Sequence, residues 1–350
     1  MRLFALLVEP ADYSFVTIKN VYNQRNVDYA FIKSKSEAGR HAIQSLDSMC
    51  FLHRILLFFR VLNQYDGFVC NSYSEPIAFE LILLNVFFFK KPIAFESDTE
   101  LQVPSGFLKR FMKAVVLKFL FTRKYCYGFP AGRFEHEKLY LHYGMARDRI
   151  IMMPMVTESK LLSAHADLTG NIFRFGYVGR LIALKQIDRI IEAFSRIQSI
   201  KNVEFMLVGD GDEREKLEKM SLGLPIKFMG ALFGEEKDKA MASMDALILN
   251  STHDQWGYVV NEALTLGVPV IVSDGVGCRH ELVEECDGRG PTGLVVNKYN
   301  MEELAGAMTK ICTDKELWQT LHNNALKRME YWNYNLYAKQ FDKWVERIGA

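Results

Sequence analysis

The sequence predicts an α/β protein of two domains, each built on an open parallel sheet. A chain of 350 residues exceeds the size at which one hydrophobic core keeps growing, so two domains are expected. In both halves, short apolar segments typical of buried strands alternate with longer segments of helical period. Polar residues follow several of the apolar segments, at the sheet edge where open parallel sheets bind ligands.

The first half contains three apolar segments that predict parallel strands. They are LFALLVE (3–9), DGFVCNS (66–72) and KKPIAFESD (90–98), and stretches of helical character at 53–62 and 77–89 separate them. Each strand ends in polar residues, which are Glu9 and Asp12, then Asn71 and Glu75, then Glu96 and Asp98. These residues predict a polar sheet edge, although they do not by themselves indicate a reaction.

The second half predicts an anion site at the entrance of a helix. The strand FRFGYV leads into Gly179 and Arg180, and Lys185 precedes a helix whose apolar residues, from Ile187 to Phe194, share one face. A glycine turn exposes backbone N–H groups, and the two cations and the positive end of the helix dipole add charge. This combination favours a ligand that carries phosphate.

Further segments bring polar groups to the same edge. The strand VEFMLV ends in the turn Gly209–Asp210, and the strand MDALIL leads toward Asp254. Gly257 then precedes an amphipathic helix that carries Glu262, and the buried strand PVIVS follows that helix. Asp254 and Glu262 are therefore expected to face one pocket.

These motifs, in this order and at these spacings, resemble those of one enzyme family. GRLxxxK begins at Gly179, VGDGxExxxLE at Val208, Asp-x-Trp-Gly-x4-Glu-Ala at Asp254 and GVPVIVSD at Gly267. Over about residues 172–310 the chain resembles the nucleotide-binding half of the retaining family 4 glycosyltransferases (glycosyl transferases group 1), which have the GT-B fold. Two positions depart from the family pattern, because Asp254 replaces the usual Glu and Gln186 replaces a frequent Gly.

The resemblance implies a domain order. The GT-B fold has two Rossmann-like domains whose parallel sheets face each other across a cleft, with a C-terminal helix that crosses back to the first domain. The implied parts of this chain are an acceptor-binding domain (1–165), a nucleotide-sugar-binding domain (166–330) and the returning helix (331–350). The expected packing anchors of that helix, or alternatively its contacts with a partner helix, are Trp332, Tyr337, Phe341 and Trp344.

The resemblance also implies a donor site and a reaction. A sugar passes from a nucleoside diphosphate sugar, with UDP or GDP, to an acceptor with retention at the anomeric carbon. The implied catalytic residues are Arg180 and Lys185 for the diphosphate, Asp254 for a sugar hydroxyl and Glu262 for the ribose hydroxyls. The remaining implied donor-binding residues are Gly179, Gly209, Asp210, Gln255, Trp256, Gly257 and Tyr258, with the backbone N–H groups of Trp256 and Gly257 near the ligand and the indole packed beside the loop.

Neither a metal ion nor another cofactor is expected. The eight histidines form no His-x-x-x-His pair, and the resemblance makes a metal unnecessary because Arg180 and Lys185 can neutralise the leaving diphosphate. The six cysteines form no Cys-x-x-Cys pair, which indicates reduced thiols in a cytoplasmic protein. The chain is also expected to have no signal peptide, no membrane-spanning segment and no nucleic-acid partner.

The acceptor is expected to bind in the first half. The candidate acceptor-binding residues are the polar side chains at the strand ends, Glu9, Asp12, Glu96 and Asp98. Many relatives have a His near the end of the strand that reads AFESD here, and this chain has none at that point. The resemblance implies a glycan acceptor, often one linked to polyprenyl diphosphate, in the synthesis of a capsule, an O-antigen or another cell-surface polysaccharide.

The positive charge of the chain is concentrated in its first half. Residues 1–165 contain 21 Lys and Arg against 15 Asp and Glu, whereas residues 166–350 contain 22 against 27. The segment 101–134 has no acid, and its Lys109, Lys113 and Lys124 are predicted to share a helical face. Lys109, Arg110 and Lys113 are therefore candidates for contact with the cytoplasmic face of the inner membrane, with a core-packed helix and a solvated basic rim as the alternative.

Two other functions use the same sequence features. A UDP-sugar epimerase of similar fold would share the diphosphate chemistry, but it usually needs further acids and a His in the cleft. A catalytically silent subunit that binds a nucleotide sugar is compatible with Asp254 in place of Glu. Consumption of donor without acceptor would indicate the epimerase, and donor binding without turnover would indicate the silent subunit.

Overall fold

The computed structural model describes residues 1–34, 45–158, 172–200 and 202–350. The chain divides into two units, of which the first is Met1–Glu158 with Asn333–Ala350 and the second is Ser159–Trp332. The sequence placed the corresponding boundaries at 165/166 and 330/331. Each unit contains one parallel sheet, as the sequence predicts.

The first unit is built on a five-stranded sheet of order β2-β1-β3-β4-β5, and all neighbouring strands are parallel. Its strands are β1 (Leu3–Leu7), β2 (Val27–Phe31), β3 (Gly67–Cys70), β4 (Ile93–Ser97) and β5 (Cys126–Pro130). The three strands that the sequence predicts are the interior ones, and β2 and β5 form the two edges.

Helices cover this sheet and close its core. They are α1 (Asp12–Thr17), α2 (Phe51–Gln64), α3 (Pro76–Leu84), α4 (Phe107–Phe121) and α5 (Glu137–His142), with helical turns at Ile18–Tyr22, Asn23–Arg25, Leu46–Ser48, Asn85–Phe89 and Arg147–Arg149. One apolar core joins strand and helix residues, including Phe68, Phe95, Leu81 and Phe121, which are all fully buried. The burial of these side chains supplies the main free energy that holds the helices on the sheet.

Helix α4 differs from its sequence interpretation in two respects. The helix ends at Phe121, so Lys124 lies beyond it and the predicted face of Lys109, Lys113 and Lys124 is not formed. The core-packed alternative is also wrong for the first half of the helix, because only Leu117, Leu120 and Phe121 are buried. Five large apolar side chains of the helix are exposed, namely Phe107, Leu108, Phe111, Met112 and Val115.

The second unit is built on a six-stranded parallel sheet of order β11-β10-β9-β6-β7-β8. Its strands are β6 (Phe173–Val178), β7 (Val203–Val208), β8 (Ile226–Gly230), β9 (Ala246–Leu249), β10 (Val270–Ser273) and β11 (Gly293–Val296). The four strands that the sequence predicts are again interior, and β8 and β11 form the edges. From β6 the chain adds β7 and β8 on one side of the sheet and then β9, β10 and β11 on the other, so β6 and β9 are neighbours where the order changes side.

The helices of the second unit are α6 (Ile187–Arg196), α7 (Arg214–Met220), α8 (Gly234–Ala242), α9 (Tyr258–Thr265), α10 (Met301–Thr313) and α11 (Lys315–Tyr331), with helical turns at Ala183–Lys185 and Arg279–Val283. Helix α6 buries the predicted apolar face, which includes Ile187, Ile190, Ile191 and Phe194. Asn300 and Asp314 cap the N-termini of α10 and α11, and their side chains accept hydrogen bonds from the backbone N–H groups of Glu303 and Leu317.

The final helix, α12 (Tyr334–Gly349), belongs to the first unit. Its Trp344 is fully buried and contacts Phe129 edge-on with ring centroids 5.3 Å apart, and its Asp342 accepts two hydrogen bonds from Arg25. Tyr337, Phe341 and Trp344 are therefore packing anchors, as predicted. Trp332 is not, because the helix begins after Asn333 and Trp332 instead packs within the second unit.

Candidate functional site

Two loops of the second unit cross at the carboxyl edge of its sheet. The loop after β6 is joined to the loop after β7 by hydrogen bonds from Gly179 N to Val208 O (3.0 Å) and from Leu181 N to Asp210 O (2.9 Å). The crossing is so close that a Cβ atom added to Gly209 would lie 1.8 Å from Gly179 O. Glycine is therefore required at position 209, and the crossing fixes the course of the chain on both sides of Arg180.

Lys185 reaches the segment that follows β9. The turn Ala183–Lys185 is attached to that segment by a hydrogen bond from Thr252 N to Leu184 O (2.9 Å). The ammonium group of Lys185 then donates to Asp254 Oδ2 at 2.5 Å, and the two side chains are only 15% and 19% exposed. The structure thus brings together two of the four predicted catalytic residues, which are 69 positions apart in the sequence.

Gln186 occupies a position that favours glycine. Its φ angle is +49°, in the left-handed region, and it is the residue from which α6 begins. Its side-chain oxygen accepts a hydrogen bond from Asn250 Nδ2 at 3.2 Å. The departure from the family pattern therefore affects the entry into the helix and adds a contact between the loops after β6 and β9.

The loop that carries Asp254 runs beside a second backbone segment. Hydrogen bonds join Asp254 N to Gly275 O (2.8 Å), Gly277 N to Asp254 O (2.9 Å) and Cys278 N to Trp256 O (2.9 Å). Gly257 follows with φ of +89°, and an added Cβ would lie 2.7 Å from Val276 Cγ1. A side chain at position 257 would therefore push apart the two segments that hold Asp254 in place.

The carboxylate of Glu262 is held by a lysine that the sequence reasoning missed. Glu262 lies in α9, and its Oε1 accepts a hydrogen bond from Lys237 Nζ of α8 at 2.6 Å. These side chains are only 12% and 24% exposed, so the ion pair is largely shielded from water. The segment that forms α8 is polar and contains no motif, so nothing in the sequence singles out Lys237.

Trp256 has a structural side chain. It is buried, its Nε1 donates to Asn261 Oδ1 at 2.7 Å, and its ring stacks on Trp332 with centroids 6.0 Å apart. This agrees with the expectation that the indole packs beside the loop. It also explains the position of Trp332, which covers the donor-side loop within the second unit.

The other predicted donor-side residues differ in their exposure. Arg180 and Gln255 are exposed and Tyr258 is half-buried. The backbone oxygen of Arg180 accepts a hydrogen bond from the hydroxyl of Tyr177 at 2.8 Å, and burial raises the pKa of that hydroxyl. Asp210 is exposed, and its carboxylate accepts hydrogen bonds from Gly211 N and from Arg214, so it stabilises its own loop.

The first unit contains a cavity of about 120 Å³ at the carboxyl edge of its sheet. Residues at the ends of β1, β3, β4 and β5 and on α12 line it, including Leu7, Asn71, Glu96, Asp98, Ala131 and Tyr337. Two of the four predicted acceptor-binding residues, Glu96 and Asp98, therefore face one cavity. Glu9 lies in the loop after β1, where its backbone oxygen accepts a hydrogen bond from Ser14 Oγ, and the side chain of Asp12 lies outside the described part of the structure.

The pKa of Glu96, which lines this cavity, is raised. Burial raises its pKa to about 7, against the effect of Tyr337, whose hydroxyl donates a hydrogen bond to Glu96 Oε1 at 2.8 Å. Tyr13 lines the same cavity, and burial together with the charges of Glu9 and Asp98 raises its pKa to about 12. Tyr13, Tyr22 and Tyr337 were not predicted to line this cavity, because two distant parts of the chain contribute them, the helical stretch 12–22 and helix α12.

The described ranges contain neither a metal-binding cluster nor a membrane-spanning helix. Within 1–34, 45–158, 172–200 and 202–350, no group of three or more His, Cys, Asp or Glu side chains could hold a metal ion. No helix in the same ranges has both the length and the apolar character to cross a bilayer.

The comparison with protein families concerns the unit that contains the Lys185–Asp254 pair. Residues 166–328 match the family model described as glycosyl transferases group 1. This segment is a glycosyl transferases group 1 domain. The resemblance to glycosyl transferases group 1 is therefore confirmed over this segment, and the matched residues contain every predicted donor-side residue from Gly179 to Glu262.

Curated relatives match the group 1 domain at moderate identity. The GDP-mannose-dependent alpha-mannosyltransferase of Mycobacterium tuberculosis is 37% identical over 105 residues, which cover 30% of this chain and 26% of the relative. The lipopolysaccharide core biosynthesis glycosyltransferase LpsE of Rhizobium meliloti is 28% identical over 142 residues, which cover 40% of this chain and 39% of the relative. The chain thus matches less than half the length of these relatives.

A solved structure resembles the whole chain. Anabaena Alr3699/HepE in complex with UDP superposes with a TM-score of 0.73 and 18% identity, and the match covers 99% of both chains. At this identity the similarity shows the fold alone, which is the GT-B fold with two α/β domains.

The loop crossing in the group 1 domain generates a prediction about stability. Gly209→Ala should lower the melting temperature and weaken ligand binding, because the new methyl group overlaps Gly179 O and the backbone must move. The matched control is Gly306→Ala in α10, where no atom lies within 4 Å of the added Cβ and where alanine should stabilise the helix by up to about 1 kcal/mol. Equal melting temperatures for the two variants would contradict the described crossing.

The raised pKa of Glu96 generates a prediction about pH. A carboxyl group whose folded pKa is about 7 binds its proton more tightly in the folded than in the unfolded chain, so its contribution to stability falls as pH rises from about 4.5 to 7. Glu96→Gln should remove that contribution. The difference in melting temperature between the variant and the wild type should therefore shift in favour of the variant between pH 5 and pH 8, and a difference independent of pH would contradict the assignment.

Proposed function

We propose that the protein is a retaining glycosyltransferase. It moves a sugar from a nucleoside diphosphate sugar, with UDP or GDP, to a glycan or lipid-linked glycan in the synthesis of a cell-surface polysaccharide. The observation that carries the proposal is the shielded Lys185–Asp254 pair at the carboxyl edge of a group 1 glycosyl transferase domain. The names of the relatives support this choice, since one uses GDP-mannose and another takes part in lipopolysaccharide core synthesis.

The diphosphate of the donor binds to Arg180 and Lys185. Negative charge grows on the phosphate oxygen as the glycosidic C–O bond breaks, and preorganised cations stabilise that charge more in the transition state than in the ground state. Asp254 holds the Lys185 ammonium group before the donor arrives, so the cation needs little reorganisation. The exposed Arg180 supplies the second positive charge.

Asp254 and Glu262 orient the donor by their remaining acceptor positions. A carboxylate can accept about four hydrogen bonds, and Lys185 uses one of those of Asp254, so a sugar hydroxyl can donate to the same group. Glu262 likewise keeps acceptor positions for ribose hydroxyls while Lys237 fixes its side chain. The described lysine partners therefore support both roles, and Asp254 serves here in place of the longer Glu of the family.

The reaction proceeds on one face of the sugar. The bond from the anomeric carbon to the diphosphate oxygen breaks, and the acceptor hydroxyl forms its new bond to that carbon from the same side. The proton of the hydroxyl passes to the leaving phosphate oxygen, so no protein nucleophile is required. Backbone N–H groups near Gly179, Gly209 and Gly257 assist the diphosphate, and no metal ion is needed because Arg180 and Lys185 carry the countercharge.

The acceptor binds in the first unit, at the cavity that Glu96 and Asp98 line. Both residues can accept hydrogen bonds from hydroxyl groups, and protonated Glu96 can also donate one near neutral pH. Glu9, in the loop after β1, and Asp12, whose side chain lies outside the described part of the structure, remain candidates for contact with the rest of a glycan. Lipid-linked acceptors also require a membrane surface, and Lys109, Arg110 and Lys113 of α4 are the side chains that we propose contact it on the cytoplasmic side.

A catalytically silent subunit is the alternative. The observation that favours it is the satisfied Lys185–Asp254 pair, because an ion pair that stabilises the fold alone would look the same without a donor. Turnover distinguishes the two functions, since the silent subunit would bind the nucleotide sugar and transfer nothing.

Replacement of Lys185 tests the proposed function. Lys185→Ala should lower kcat by about 10²- to 10³-fold, because one of the two groups that stabilise the leaving diphosphate is lost. The fold should persist, because the pair joins two loops at the carboxyl edge of the sheet and is not part of the apolar core. The exposed Lys219 of α7 provides the control, and Lys219→Ala should keep full activity. Near-normal turnover of Lys185→Ala in a radiolabelled donor assay would show that the catalytic assignment is wrong.

A further inference from the structure

The first unit exposes large apolar side chains on three separate elements. On α4, Phe107 is 81% exposed and Leu108, Phe111, Met112 and Val115 are also exposed, whereas Leu117, Leu120 and Phe121 are buried. The core side of the helix is filled by its buried residues. The exposed side chains therefore cannot be explained as part of this unit's core, and such apolar surface is typical of an interaction site.

The other two elements are α2 and the turn Asn85–Phe89. Helix α2 exposes Phe51, Leu52, Leu56 and Phe59, and the turn exposes Phe87 and Phe88, of which Phe88 is 70% exposed. Ring contacts link the elements, because Phe59 lies 6.1 Å from Phe88 and Phe87 lies 5.9 Å from Phe119 of α4. We name the exposed side chains of α2, Phe87, Phe88 and α4 the apolar platform.

The charges around the apolar platform have one sign. The segments 51–64, 85–91 and 101–124 contain ten Lys and Arg and no Asp or Glu. Several of these cations are held within the unit, such as Arg54, which pairs with Glu80, and Lys113, which donates to Gln102 O. The exposed cations are Arg60, Lys90, Lys109, Arg110, Lys118, Arg123 and Lys124.

We propose that the apolar platform docks on an anionic lipid bilayer. Its phenylalanine, leucine and methionine side chains enter the boundary between headgroups and acyl chains, while the cations around them contact lipid phosphates. The three segments contain no acidic side chains. This favours an anionic lipid surface over a protein partner, because a protein surface carries charges of both signs and would be matched by both acidic and basic side chains. The inference rests on the membrane contact proposed for α4 and adds α2 and the Phe87–Phe88 pair to it.

Contact through three elements fixes the orientation of the first unit on the bilayer, which contact through one helix would not do. A single amphipathic helix can rotate about its axis and tilt on a membrane, whereas three joined contact points define a plane. The first unit is therefore held in one orientation relative to the bilayer. The two contributions are also distinct, since removal of apolar side chains weakens insertion at any salt concentration and removal of cations weakens only the salt-sensitive part.

Vesicle flotation of the full chain tests this inference. Vesicles of phosphatidylcholine with phosphatidylglycerol should bind the protein, and vesicles of phosphatidylcholine alone should bind it at least about tenfold less. The decisive variant replaces four side chains outside α4, as Leu52→Ser, Leu56→Ser, Phe87→Ser and Phe88→Ser. It should lose at least about tenfold in binding to the anionic vesicles with an unchanged melting temperature, because all four side chains are already exposed.

Two controls separate the possible results. Leu222→Ser changes a leucine of the second unit that is 81% exposed, and it should leave vesicle binding unchanged. Lys109→Gln with Lys118→Gln should reduce binding mainly at low salt. If the four-site variant binds anionic vesicles as well as the wild type does while the lysine variant binds them less, the role of α2 and Phe87–Phe88 is overturned. The contact through α4 would stand in that case.

Two further outcomes would also overturn the inference. Failure of the wild type to bind anionic vesicles would do so, and nucleotide binding measured on the same preparation would show whether the proposed transferase site survives that failure. Dissociation of a dimer in the four-site variant, measured by sedimentation with no change in vesicle binding, would instead assign the platform to a contact between copies of the chain.

Discussion

The close crossing of the loops after β6 and β7 is the constraint on which the candidate donor site depends. Gly209 leaves no room for a side chain against Gly179 O, so both loops are held at one place on the sheet edge. The turn Ala183–Lys185 continues from this crossing and is attached to the segment after β9 through Thr252. Together these attachments hold the two loops where Lys185 meets Asp254.

The sequence predicted the interior of both sheets and missed their edges. The seven predicted strands are all interior, and the four that were not predicted, β2, β5, β8 and β11, are the edge strands. An interior strand of a parallel sheet is covered on both faces and paired on both sides, so its sequence is a continuous apolar run. Edge strands are less constrained, as β8 shows by its alternation of exposed and half-buried residues, and β5 contains both Gly and Pro.

The residues of the two candidate sites also differ in how far the sequence could predict them. Lys185, Asp254 and Glu262 could be predicted because each belongs to a motif with fixed spacing, whereas Lys237 and the cavity tyrosines become partners only when distant segments fold together. For helix α4 the sequence left two interpretations open, a membrane-facing surface and a core-packed helix. Its period predicted an amphipathic helix, but periodicity cannot tell whether an apolar face is buried or exposed, and here that face is outside. Periodicity also could not show that Lys124 lies beyond the helix, because it does not locate the residue at which a helix ends.

The most direct test of the central claim is a measurement of melting temperature with UDP, GDP, ADP and CMP in the presence of EDTA. A site built from Arg180, Lys185, Asp254 and Glu262 predicts that one nucleoside diphosphate stabilises the protein without a metal ion, by about 2.7 kcal/mol at a concentration one hundred times its Kd. The same ligand should stabilise Lys185→Ala much less. No shift with any of the four nucleotides at millimolar concentration would contradict the account.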